Sequence, residues 1–199
     1  MTMKKKDLEM CLQRLLPMDQ PEASLEQYAT PANIATDILF TAFVNGDVAG
    51  KKVVDLGCGN GIFAVGAWLL GAEEVCAIDV SAKALLIAQK NAADLGADIR
   101  FENIDVRDFQ GRFDTAIMNP PFGSQKKGAD RPFLDAAMRS AETVYSIHMA
   151  ETLPFLDRYA CSQGRQLSFH KEYKYDIPHL FTFHRKMKQS IDIVIIIIR

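Results

Sequence analysis

Lys52-Val53-Val54-Asp55-Leu56-Gly57-Cys58-Gly59-Asn60-Gly61-Ile62 decides the fold. Val53 to Leu56 reads as a short buried strand, and Ile62 to Leu70 as an apolar helix closed by Gly71. Between them stand three alternate glycines. Glycine lets a backbone turn tightly and approach a ligand where a Cβ would collide. A dinucleotide fingerprint, G-x-G-x-x-G, would place its third glycine at position 62. That position is Ile, and the glycines fall at 57, 59 and 61, with Asp55 inside the preceding strand.

Downstream the strand–helix rhythm continues. Val75 to Ile78 is a second strand ending on Asp79, and Ser81 caps a helix through Ala92. A third strand covers Ile99 to Asn103 and a fourth Thr115 to Met118, where Asn119-Pro120-Pro121-Phe122 breaks it. A helix near Phe133 to Ala141, a strand at Val144 to Ile147 and a helix near Met149 to Tyr159 follow. Gln166 to Tyr175 and Ile191 to Ile198 read as two closing strands. The alternation predicts an α/β doubly wound, mostly parallel sheet with an antiparallel C-terminal pair at its edge. Upstream, leucines at helical spacing mark Asp7 to Leu16, and Thr30-Pro31 reads as an N-cap followed by proline at the first helical position. That second helix runs to Asn45-Gly46. Residues 1–199 are expected to form one domain, with 1–46 as a helical segment packed on the core.

Composition narrows the class. Net charge is −2, so the chain lacks the basic footprint of a freestanding nucleic-acid binder, and any such site must be local or completed by a partner. The basic clusters are Lys4-Lys5-Lys6, Lys126-Lys127 with Arg131, and Arg185-Lys186-Lys188. Cys11, Cys58, Cys76 and Cys161 form no C-x-x-C pair, which predicts reduced thiols and no metal site. No leader pattern or membrane span is legible, and the Ile193 to Ile198 run is far short of the roughly 20 residues a bilayer requires. A cytoplasmic protein is expected.

Two further positions carry chemistry. Asp79, at the end of the second strand, can accept two hydrogen bonds from a ribose diol. Asn119 to Phe122 sit at the C-terminal end of the fourth strand, where open α/β sheets place their ligands. His148 ends a strand and is expected to be a hydrogen-bonded structural residue; His184 lies in a basic aromatic loop.

The Asp55 to Gly61 pattern resembles the first motif of class I S-adenosylmethionine methyltransferases. Asn119-Pro120-Pro121-Phe122 resembles the motif of enzymes in that class that methylate amino groups conjugated to a π-system. The resemblance implies S-adenosylmethionine as cofactor. It would be held by Asp55, Gly57, Gly59, Asn60, Gly61, Asp79, Val80, Asp105, Val106 and Asn119, with Asp105 at the adenine amino group and Asp108, otherwise a solvated loop carboxylate, as the close alternative there. It also implies a catalytic set of Asn119, Pro120, Pro121 and Phe122. The Asn119 oxygen and the Pro120 carbonyl would each accept one N–H of the target amine. Prolines preorganise these acceptors, and Phe122 offers a ring for stacking.

With Leu25-Glu26-Gln27-Tyr28, Tyr175-Asp176-Ile177-Pro178 and Phe183-His184 added, the chain resembles the methyltransferase-like family of small-subunit rRNA adenine-N6 methyltransferases, archaeal and eukaryotic, over nearly its whole length. The family implies that Gln27, Tyr28 and Thr30 close over the cofactor pocket. It also implies ribosomal RNA as partner and a small zinc-containing activator protein, expected at the sheet edge formed by the third strand. The family commonly reads Tyr-Pro-Thr where this chain has Tyr28-Ala29-Thr30-Pro31. A protein glutamine N5-methyltransferase is the alternative, since the same motif serves an amide nitrogen. Those enzymes usually carry a separate N-terminal helical domain, and only about 50 residues precede the first strand here. A scaffold that binds cofactor without catalysis is argued against by the intact Asn119 and prolines, and DNA by the lack of a target-recognition domain.

Overall fold

A computed structural model describes residues 3–18, 30–123, 128–177 and 189–199. Gln27, Tyr28, Lys126, Lys127, Phe183, His184, Arg185, Lys186 and Lys188 therefore lie outside the described residues. In chain order the elements begin with α1 (Lys5–Leu12) and α2 (Ala32–Val44). The glycine region follows as β1 (Lys52–Leu56), α3 (Ile62–Leu69), β2 (Glu74–Asp79) and α4 (Ala82–Asp94). Next come β3 (Arg100–Asn103), β4 (Phe113–Met118), α5 (Arg131–Ser140) and β5 (Ala141–Met149). After a short 3-10 turn, α6 (Leu153–Ser162), β6 (Leu167–Ile177) and β7 (Gln189–Ile198) complete the set.

The strands form one seven-stranded sheet in the order β3-β2-β1-β4-β5-β7-β6. The first five are parallel, and β7 runs antiparallel to both β5 and β6. This is the doubly wound sheet expected from the sequence. Only β6 of the closing pair is an edge strand. β7 is inserted between β5 and β6, which explains its aliphatic run. Ile193, Ile195 and Ile197 face the core under α1, α2, α3 and α4, while Val194, Ile196 and Ile198 face the core under α5 and α6. A strand buried on both faces needs continuous apolar sequence rather than alternation. Among the described residues no helix is long and apolar enough to cross a membrane.

Three boundaries differ from the sequence expectation, each for a tertiary reason. The first helix ends at Leu12 rather than Leu16, because the main chain at Leu16 is gripped by Asn91 of α4. Thr30 is not the N-cap of α2: Pro31 holds that position, its carbonyl accepting from Ala35 N–H, and the Thr30 hydroxyl is engaged elsewhere. β5 extends from Ala141 to Met149 because β7 pairs with it as far as Met149↔Ile193, so α6 starts only at Leu153, with Pro154 in its first turn.

Candidate active site

Sheet register brings the sequence motifs together. Leu56 of β1 pairs with Ile78 of β2 on one side and Met118 of β4 on the other. The next residue of each strand's path is Gly57, Asp79 and Asn119, so three strand ends converge. Between β1 and β4 the order of connection reverses, leaving the crevice in which such sheets bind ligands. Met18, Thr30, Gly57, Cys58, Gly59, Asn60, Ile62, Phe63 and Asn119 line a cleft there.

The glycine loop is shaped by close packing beneath it. Gly57 has φ +72°, and a Cβ there would stand 2.8 Å from Cε1 of Phe133 at the start of α5. Gly61 has φ +82°, and its Cβ would meet that of Ala88 on α4 at 3.1 Å. The loop thus rests on two helices and leaves its upper surface to the cleft. Gly57 and Cys58 N–H both donate to the Ile78 carbonyl at 2.9 Å. The Asp79 carboxylate, 8% exposed, accepts from Gly59 N–H at 2.9 Å and from Ser81 N–H at 2.8 Å. Asp79 therefore ties the glycine loop to the turn after β2, and Asn103 of β3 braces that turn by donating to the Asp79 and Val80 carbonyls. Val80 is 53% exposed, an apolar side chain open beside Asp79.

Asp55 lies under the loop rather than in the cleft. It is 1% exposed, and Oδ2 accepts from Ala64 N–H at 3.0 Å, capping α3 from the neighbouring strand because Gly61 has no side chain to do so. Its Oδ1 is buried without a partner. Burial pushes this carboxyl up to about 8; the Ala64 N–H opposes the shift and the Asp79 charge adds to it. Between the unfolded value of about 4 and the folded value, the native state keeps a proton that the unfolded chain has lost, so stability falls as pH rises through that window. Asp55→Asn should flatten this slope. Urea denaturation at pH 5 and pH 8 should show wild type losing stability relative to the Asn variant, on the order of a few kcal/mol. Parallel profiles would mean that Asp55 is ionised throughout.

At the end of β4, Asn119 Nδ2 donates to the Thr30 hydroxyl at 3.0 Å. This contact fixes the amide plane and leaves Oδ1, a buried atom without a partner among the described residues, as the available acceptor. Pro120 is buried, and Phe122 is half-buried against the core beneath α2 and α3. Asp105 is engaged by its own neighbour. Arg107 donates to it from Nε at 2.9 Å, from Nη2 at 2.6 Å and from its main-chain N–H at 2.9 Å, and this holds the Asp105 carboxyl low, at about 2. Val106 is buried in the opposite core. His148, 2% exposed, bonds Ser146 Oγ at 2.8 Å and faces Asp130 at 3.5 Å, the structural role expected of it. Of the basic residues, Lys5 pairs with Asp37, and Arg131 lies over the Phe155 ring.

Outside the glycine loop and the start of α3, Met18, Asn91 and Phe133 escaped the sequence reading. Only Asn91 left a signal, an asparagine inside a thirteen-residue helix, where that side chain is a poor helix former.

The Methyltransferase small domain model matches residues 29–144, the stretch that holds the glycine loop and the Asn-Pro-Pro-Phe motif. The chain belongs to the methyltransferase small domain family. It is 35% identical over 99% of its length to the Danio rerio rRNA N(6)-adenosine-methyltransferase METTL5, covering 98% of that protein. A Drosophila melanogaster protein of the same name is 32% identical over 96% of this chain and 94% of the relative. A crystal structure from Pyrococcus horikoshii, of a protein named as a candidate RNA methyltransferase, superposes with a TM-score of 0.91 at 40% identity, covering 100% of this chain and 98% of that one. The fold is that of class I methyltransferases, as a magnesium protoporphyrin IX methyltransferase with bound S-adenosylmethionine also shows, at TM-score 0.62 and 18% identity. The protein is a methyltransferase of this family, and S-adenosylmethionine is its cofactor.

Proposed function

We propose that the protein transfers a methyl group to the N6 amino group of an adenosine in structured RNA, with small-subunit ribosomal RNA as the substrate. The reading rests on one observation above all. Asn119 Oδ1 is a buried, unpartnered acceptor at the end of β4, in the cleft that the glycine loop lines. A buried acceptor left without a partner costs about 1–3 kcal/mol, and an incoming amino N–H removes that cost.

When bound, S-adenosylmethionine supplies an electrophilic methyl group. The protein's part is to make a poor nucleophile adequate. An adenine N6 lone pair is delocalised into the ring. Hydrogen bonds from its two N–H groups to Asn119 Oδ1 and the Pro120 carbonyl draw the nitrogen toward tetrahedral geometry. The acceptors are fixed in advance by Thr30 on the amide and by two consecutive prolines. Phe122 offers a ring for the extruded base. The proton leaves after transfer, because an N-methylated anilinium-like nitrogen is strongly acidic, so no general base is required. Asp79 is assigned to the ribose hydroxyls, with Val80 beside the adenine of the cofactor. Asp105 is assigned to its amino group if the Arg107 pair opens, and Gln27, Tyr28 and Thr30 are assigned to the pocket by the family resemblance. Asp55 serves by holding α3 under the loop.

Relatives that align along the full chain are named for RNA adenosine rather than for a protein amide, which favours RNA as acceptor. Tritium from labelled cofactor, offered with separated rRNA and ribosomal protein fractions, should appear in rRNA as N6-methyladenosine. Label recovered only in protein would overturn the reading. The same assay, run with and without small zinc proteins from the source, bears on the activator. β3 is the free edge of the parallel half, four residues long, and a strand from a partner could pair there. A full rate without any partner would remove the activator from the proposal. The cytoplasm is the compartment this assignment implies.

A further inference from the structure

α4 turns one face to the glycine loop. Ala88 lies against Gly61, and three residues on, Asn91 is 2% exposed. The Asn91 amide makes three hydrogen bonds. Oδ1 accepts from Leu16 N–H at 2.8 Å, and Nδ2 donates to the Leu16 carbonyl at 3.2 Å and to the Asn60 carbonyl at 2.9 Å. Asn60 Nδ2 donates to the same Leu16 carbonyl at 3.1 Å. Leu16 is thus gripped at both its main-chain groups, as a strand partner would grip it, and the glycine loop is tied to the same point. Two residues further, the Met18 sulfur lies 3.8 Å from the place a Cβ on Gly59 would occupy, and Met18 lines the cleft with Thr30 and Asn119.

We propose that Asn91 is a positioning residue for the cofactor. It docks the segment 16–18 against the glycine loop so that Met18 forms one wall of the cofactor site, and it restrains the loop at the Asn60 carbonyl. The inference rests on the assignment of this cleft to S-adenosylmethionine. A buried polar side chain in a helix needs a reason, and here all three of its bonds go to elements of one site, none to α4 itself. The leucine it holds is 39% exposed, so the grip is not burying an apolar side chain. What it fixes is the path of the chain toward Met18.

The test is a double-mutant cycle on the full chain. S-adenosylmethionine affinity is measured by calorimetry for wild type, Asn91→Ala, Met18→Ala and the double variant, with thermal midpoints and kcat at saturating cofactor alongside. Asn91→Ala should weaken cofactor binding about tenfold, the equivalent of 1.4 kcal/mol, with kcat at saturation within about threefold. Once Met18 is already Ala, the same substitution should cost clearly less, because its effect travels through that side chain. Leu16→Pro, which deletes the N–H that Asn91 accepts at an exposed position, should weaken binding in the same direction and serves if Asn91→Ala fails to fold. A lowered thermal midpoint with unchanged affinity in the Asn91 and Leu16 variants would overturn the proposal, as would strictly multiplicative effects in the cycle. If wild type itself binds no S-adenosylmethionine, the cofactor assignment fails rather than the clasp.

Discussion

Asn119→Ala should slow methyl transfer by roughly a hundredfold or more while leaving the cofactor bound. The side chain's Nδ2 is spent on Thr30, and its Oδ1 has no partner among the described residues, so truncation removes nothing that the fold uses except one part-buried hydrogen bond. What it removes is an acceptor preorganised for an N–H whose acidity rises as the nitrogen becomes cationic. Interactions that strengthen only in the transition state act on kcat, and loss of one such group costs about 2.7–4 kcal/mol, or roughly a hundredfold to a thousandfold in rate. Single-turnover measurements with saturating RNA and cofactor should show that loss, with cofactor affinity by calorimetry within a few-fold of wild type. Near-normal turnover would remove Asn119 from the catalytic role. A parallel collapse of cofactor affinity would mean that it serves the cofactor instead.

Asp79→Ala should have the opposite signature. The carboxylate stands at the end of β2 and anchors Gly59 and Ser81 through their N–H groups. Charge-assisted hydrogen bonds are each worth about 1.5–3 kcal/mol. Loss of two to a ribose diol should therefore weaken S-adenosylmethionine by about a hundredfold or more. The loop loosens at the same time, so the thermal midpoint should fall as well. Asp79→Asn separates the two effects, since the amide oxygen can still accept one backbone N–H but cannot take both ribose hydroxyls. Calorimetry with wild-type affinity in the Ala variant would rule out the ribose assignment.

The parts of the site that were legible in the sequence share a property: each is a local pattern at a strand end. Asp55 to Gly61, Asp79 and Asn119 to Phe122 depend on spacing within a few residues. The parallel register of β1, β2 and β4 then brings them together without further instruction. What stayed hidden is set by distant pairings. Leu16 and Asn91 are 75 residues apart, and Thr30 and Asn119 are 89 apart. A Thr-Pro pair before an apolar helix carries every local mark of a cap, yet its hydroxyl is claimed by Asn119. Likewise, nothing in the spacing of Asp105 and Arg107 distinguishes a solvated carboxylate from one clamped by its neighbour's guanidinium. Asp55 was legible as part of the motif but not as a buried helix cap, because its depth depends on α3 folding back over β1.

The placement of β7 bears on how the polypeptide assembles as it is synthesised. β6 is made first but touches the rest of the sheet only through β7, whose ten residues come later in the chain. The half that carries the glycine loop, β1 to β4 with α3 and α4, is complete in sequence by Met118 and is built from neighbouring strands. The other half must wait, with the open edge of β5 and the unattached β6 both exposed, until a strand that ends in six aliphatic residues, Ile193 to Ile198, is delivered between them. Such an interval is when nascent chains are most prone to mispair with one another. The protein's dependence on chaperones should therefore be concentrated in the time between the emergence of β5 and the closure of the sheet around β7.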